Sequence, residues 1–142
     1  MFKIRKILVP VDFSPCSRAA LEHALALSRA VGASVHALHV WKPEKGDGHL
    51  VDTAEAALTA EAAKLRAFLA EVAGGFEGEL QHRVEIGDPE QLIVEDARAG
   101  HYDLIAIGTH GSRARSRIST GSVAASVVRT AGCPVLTVHE SE

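Results

Sequence analysis

Three features of the sequence predict an α/β fold, a five-stranded parallel sheet with helices on both faces. Five strand-like segments alternate with four helix-like ones along the chain. Two of the strand segments, Ile7-Leu8-Val9 and Leu104-Ile105-Ala106-Ile107, are uniformly apolar, the mark of strands covered on both sides. The connections are short and punctuated by Pro and Gly, as strand–helix–strand crossovers require. At 142 residues and 46% hydrophobic content, the chain is expected to form one domain, residues 1–142, with a sizeable core. It contains no internal repeat or linker.

The first strand is expected over Lys6 to Val11, with Asp12 just past its carboxyl end. Ser14-Pro15 starts a helix, Ser as N-cap and Pro where its missing N–H costs nothing. Leu21, Ala24, Leu25, Ser28 and Val31 share one face of that helix, and Gly32 stops it. Ser34 to Trp41 reads as the second strand. A polar segment, Lys42 to Leu50, contains Pro43, Gly46 and Gly48 and reads as a loop. Asp52 and Glu55 have capping-box spacing ahead of a helix carrying Leu58, Ala62, Leu65, Leu69 and Val72, which ends at Gly74-Gly75. Glu79 to Ile86 alternates, with Leu80, His82, Val84 and Ile86 against Gln81, Arg83 and Glu85, and so reads as an edge strand. Asp88-Pro89 starts a third helix that Gly100 ends. Tyr102 to Ile107 is the fourth strand, Ser122 to Thr130 the fourth helix and Pro134 to His139 the fifth strand.

Composition removes several classes of function. A net charge of −3 gives no general attraction to nucleic acid or to an anionic membrane, and neither is expected as a partner. No apolar stretch reaches membrane-spanning length. The basic start (Lys3, Arg5, Lys6) leads into an apolar run too short for a signal-peptide core, so a cytoplasmic location is expected. Cys16 and Cys133 lack redox or zinc spacing and read as reduced thiols, Cys133 packed in the core. The eight histidines are scattered. His36 and His39 fall on opposite faces of one strand and cannot share an ion, so no metal site is expected.

The informative stretch runs from Asp103 through Gly108, His110 and Gly111 to Gly121, Ser122 and Val123. It reads as a buried strand, a glycine turn, a basic loop with Arg113, Arg115 and Arg117, and the first turn of a helix. The glycines permit a tight turn and close approach of another group. The free N–H groups at the helix start favour an anion. No acidic residue occurs from Leu104 to His139, so the arrangement points to phosphate.

Gly108, two residues, Gly111, nine residues, then Gly121-Ser122 resembles the G-x2-G-x9-G-[ST] signature of the ATP-binding universal stress proteins. The resemblance covers essentially the whole chain. Ile7 to Ser14 is similar to that family's first strand and turn, Gly87-Asp88-Pro89 to the start of its third helix, and Cys133 to Leu136 to its last strand. The resemblance implies a Rossmann-like sheet of order 3-2-1-4-5, whose reversal between strands one and four brings Asp12 and Gly108 to one crevice. It also implies that Asp12 contacts the ribose or adenine side of ATP and that the backbone of Val40 reads the adenine edge. Pro10 and Val11 would wall the base. Finally, it implies a homodimer paired through the last strand, Val135 to Val138.

Several donors are needed at the phosphates. A helix dipole alone supplies about 0.3–1 kcal/mol, whereas micromolar binding requires about 8 kcal/mol. Amides of Gly111, Gly121, Ser122 and Val123 at roughly 1.5–3 kcal/mol each to charged oxygens would supply most of it. Asp12 has a structural alternative, bonding loop amides beside the Ser14 cap. His110, the one titratable group inside the motif, reads as a partly exposed loop residue and phosphate neighbour rather than a base. The chain lacks a P-loop lysine, paired carboxylates for two metals and a serine nucleophile elbow, so nothing equips it for rapid phosphoryl transfer. Slow hydrolysis stays open. An accompanying Mg²⁺ would be held by the phosphates, with Ser122 the one hydroxyl placed to help. The expected function is an ATP-binding, nucleotide-responsive regulatory module acting on an unidentified protein partner. The rival is a nucleotide-free dimeric interaction module of the same fold.

Overall fold

Five parallel strands form one sheet in the order β3-β2-β1-β4-β5. The computed structural model describes residues 1–43, 50–110 and 121–140, with the backbone alone given for 50–53. The strands are β1 (Lys6–Pro10), β2 (Ser34–Trp41), β3 (Leu80–Ile86), β4 (Leu104–Gly108) and β5 (Val135–Val138), and the helices α1 (Pro15–Val31), α2 (Leu50–Ala73), α3 (Pro89–Ala99) and α4 (Ser122–Thr130). Registers such as Ile7↔Val35 and Ile7↔Leu104 place β1 at the centre.

The uniform apolarity of β1 and β4 is explained by two cores, one on each face. Ile7, Val9, Leu104 and Ala106 pack with Leu21, Leu25 of α1 and Leu65, Leu69 of α2. Leu8, Ile105 and Ile107 pack on the other side with Ile93 of α3 and Val127 of α4. The alternation in β3 fits its place at the edge of the sheet. Leu80 and Val84 pack on the α1–α2 side. Arg83, on the other side, bonds Asp96 of α3 at 3.1 Å and the Tyr102 hydroxyl at 3.2 Å. Glu85 lies 3.5 Å from Arg83. Burial, and then the neighbouring Asp96 carboxylate, push the Glu85 carboxyl up to about 7.

Helix ends follow the expected chemistry with local corrections. Ser14 caps α1 by accepting from the Ser17 N–H at 3.1 Å. Gly32 closes it in the left-handed region at φ 76°, donating its N–H to Ser28. Val31 is exposed rather than on the buried face, which ends at Ser28 one turn earlier. α2 runs from Leu50, so Asp52 and Glu55 both fall within the helix rather than starting at its N-cap position. Cys133 is partly exposed at the margin of the α3–α4 core rather than packed within it.

Candidate functional site

Because strand order reverses between β1 and β4, the loops leaving their carboxyl ends diverge and open a crevice between them. There the structure has a cleft of about 940 Å³, within the size range of small-molecule sites. Pro10, Val11, Asp12, Val40, Gly108, His110, Gly121, Ser122 and Val123 all line it. Gly111, with the Ser112–Thr120 loop and its arginines, lies outside the described residues.

One wall is the β1–α1 turn. Pro10 ends β1, and the Val11 N–H continues the ladder to the Leu38 carbonyl at 2.8 Å. Asp12 accepts from the Ser14 N–H at 3.0 Å and also from the Ser14 hydroxyl. The structural role weighed for Asp12 is therefore present through Oδ1, alongside its place on the cleft wall. Ser14 is 3% exposed and also lies 3.3 Å from the His110 carbonyl, so it ties the turn to the loop leaving β4.

Across the cleft three helix starts differ sharply. α1 is capped by Ser14. α3 is capped by Asp88, which accepts from the Glu90 N–H at 3.2 Å, and Glu90 adds a second carboxylate to its first turn. α4 has Gly121 at its N-cap, no side-chain cap and no acidic residue in its first turn. Among the described residues no side chain caps its first N–H groups, and these with the positive dipole end suit an external acceptor. The donor set is narrower than the sequence suggested, because the Gly121 N–H is bonded to the Thr109 carbonyl at 2.6 Å. Ser122 and Val123 remain on the cleft wall at the first helical turn.

Gly108 also acquires a different partner. A Cβ there would stand 2.6 Å from the Cys16 carbonyl carbon and 2.8 Å from the Ser17 amide nitrogen. The close approach that this glycine permits is therefore to the backbone of α1.

His110 is 7% exposed, in contrast to the partly exposed loop residue expected. The cause is Thr109, whose N–H still pairs with the Val138 carbonyl at 3.0 Å, so the chain stays against β5 beyond the end of β4. The Thr109 hydroxyl lies 3.1 Å from Nδ1 of both His110 and His139. Nε2 of His110 is buried with no hydrogen-bond partner among the described residues.

The cleft also contains residues that no motif announces. Phe13 adopts φ 65°, a conformation costly for a bulky side chain. His39 and Glu61 form a buried contact at 2.7 Å, and Trp41, Lys42 and Lys64 complete that side of the lining. Their separation in sequence hides them, since Glu61 lies 22 positions from His39 and on another element. His36 points to the opposite face, against Tyr102, where burial and then Lys6 lower its pKa. Among the described residues, no group of three or more His, Cys, Asp or Glu is placed to hold a metal ion, and no helix is long and apolar enough to cross a membrane.

Residues 3–139 match the model of the universal stress protein family. The chain is 33% identical to a universal stress protein of Methanocaldococcus jannaschii over 96% of this chain and 82% of that protein. Its structure is similar to that of universal stress protein UspA from Lactobacillus plantarum, with a TM-score of 0.82 and 28% identity over 97% of this chain and 99% of the other. It also resembles a universal stress protein solved in complex with cAMP, with a TM-score of 0.71 and 26% identity over 96% and 98% of the two chains.

Proposed function

The chain belongs to the universal stress protein family, and within it we propose an ATP-binding, nucleotide-responsive regulatory module. The observation that carries this reading is the pairing of unlike walls across one cleft. The bare start of α4 faces an apolar wall of Pro10 and Val11 with the Asp12 carboxylate beside it. A helix start without cap or acid suits phosphate oxygens. An apolar wall with one carboxylate suits a base and the hydroxyls of its ribose. The complex of a similar family member with cAMP, itself an adenine nucleotide, supports the class of ligand.

On this reading Ser122 and Val123 donate to phosphate, the backbone of Val40 reads the adenine edge, and Asp12 takes the sugar. Any Mg²⁺ arrives on the phosphates, near the Ser122 hydroxyl. Gly121 lies beside the phosphates on the cleft wall rather than donating to them, since its N–H is taken by Thr109. Two copies would associate through β5, an edge strand with Leu136 37% exposed. The nucleotide-dependent surface acts on a further protein in the cytoplasm.

Calorimetry with ATP on wild type and Asp12→Ala tests the assignment, together with mass spectrometry of any small molecule released on denaturation. The variant should bind about tenfold more weakly, the scale of one hydrogen bond to a charged group. Wild-type affinity in Asp12→Ala would remove the carboxylate from the site. A second reading, slow phosphate hydrolysis, draws on the unpartnered Nε2 of His110. It requires phosphate release above a buffer blank that His110→Ala abolishes.

A further inference from the structure

Behind the β1–α1 turn lies a polar contact that none of the nucleotide-facing roles explains. His39 is 7% exposed, yet both ring nitrogens are engaged. Nδ1 lies 2.7 Å from the Val11 carbonyl oxygen and Nε2 lies 2.7 Å from a Glu61 carboxylate oxygen. A carbonyl can only accept, so Nδ1 carries a proton and donates it. The Nε2–Glu61 bond joins the end of β2 to the middle of α2. A buried polar bridge of this kind fixes geometry because leaving either partner unpaired is costly.

What it fixes is the nucleoside wall. Val11 lies one residue beyond β1, and β2 holds both halves of its backbone, the N–H through Leu38 and the carbonyl through His39. Phe13 packs its ring 4.6 Å from the His39 ring and edge-on to Phe68 of α2 at 5.6 Å. These contacts hold Phe13 at φ 65°, a conformation that persists only where the surroundings enforce it. Asp12 sits between these two anchored residues. Its position is set from below by His39, and the position of His39 is set by Glu61.

We propose that His39 is a positioning residue for the nucleoside half of the cleft, and that Glu61 couples this position to helix α2. Nucleotide affinity then depends on how α2 packs, and bound nucleotide is sensed along α2. The inference rests on the nucleotide reading above.

Wild type, Glu61→Ala and Glu61→Gln, each carrying ¹⁵N-histidine, test it by NMR and by ATP calorimetry, with thermal melts confirming the fold. Wild type should show a slowly exchanging proton on Nδ1 of His39. Glu61→Ala should lose that protection and bind ATP about tenfold more weakly. Glu61→Gln offers a side-chain N–H that Nε2 of the Nδ1-protonated ring can accept, so it should recover affinity to within about threefold. If Glu61→Ala does not fold, Glu61→Asp, one methylene too short to reach, supplies the same disruption. Wild-type ATP affinity in the disrupted variant, or a wild-type His39 protonated at Nε2 alone, would overturn the proposal. Wild type that binds no nucleotide would overturn it together with the functional reading. That outcome is recognisable because the Nδ1 proton and its loss in Glu61→Ala would remain.

Discussion

Gly108→Ala is the substitution in which fold and site are most tightly joined. The added methyl would meet the Cys16 carbonyl carbon at 2.6 Å, the Cys16 Cβ at 2.7 Å and the Ser17 amide nitrogen at 2.8 Å. Ordinary contact between carbon atoms begins near ~3.5 Å, so α1 must retreat from β4 by somewhat under about 1 Å. Two of the three atoms are helix backbone, which cannot rotate aside as a side chain can. Overpacking of a well-filled site costs about 1–3 kcal/mol, and a backbone clash belongs at the upper end, near about 3 kcal/mol. That is a large share of the roughly 5–15 kcal/mol that holds a domain folded. For a chain of this size it lowers the melting temperature by about 6–12 °C. The retreat also carries Ser14, the cap of α1 that bonds Asp12, away from the loop after β4, so ATP affinity should fall in the folded fraction. Urea denaturation gives the stability, and calorimetry well below the transition gives the affinity. A variant melting within about 2 °C of wild type would show that α1 and β4 are not packed as described.

Other outcomes follow from single contacts. Glu85 holds its proton up to about 7 in the folded chain against 4.5 ordinarily. Between those values the folded state binds more protons than the unfolded one, so stability falls as pH rises through this window. Glu85→Gln cannot ionise, so it should match wild type at pH 4 and exceed it by about 1–2 kcal/mol at pH 8, allowing for partial exposure of the site. An equal difference at both pH values in denaturant melts would contradict this. Ser122→Glu places a carboxylate in the exposed first turn of α4. The helix should gain about 0.3–1 kcal/mol while ATP affinity drops at least about tenfold; unchanged or tighter ATP binding would refute the phosphate assignment. Thr137→Pro on β5 removes an edge N–H; on the proposed β5 pairing, sedimentation should find wild type dimeric and the variant monomeric, and equal masses would contradict that pairing.

The fold was legible because its signals are local. The apolar runs of β1 and β4, the Ser14-Pro15 and Asp88-Pro89 starts and the alternation of β3 each depend on a few neighbouring residues, and all appear in the structure. Strand order was not written in any segment and came through resemblance. The site was legible where it coincides with a motif, so that Asp12, Gly108 and Gly121 to Val123 line one cleft. It was not legible where roles are decided across the fold. Gly108 looked like room for a ligand, yet it accommodates α1. The Gly121 N–H looked free, yet Thr109 takes it. His110 looked partly exposed, but the Thr109–Val138 bond draws it inside. Glu61 and His39 carry no joint pattern because α2 and β2 meet only after folding.

The most direct test is an ATP titration followed by backbone amide NMR of the wild-type chain. Saturable shifts should appear together at Val11, Asp12 and Val40 on one wall and at Ser122 and Val123 on the other, with adenosine moving only the first group. No saturable response, or one confined to residues away from the β1–β4 cleft, would contradict the account.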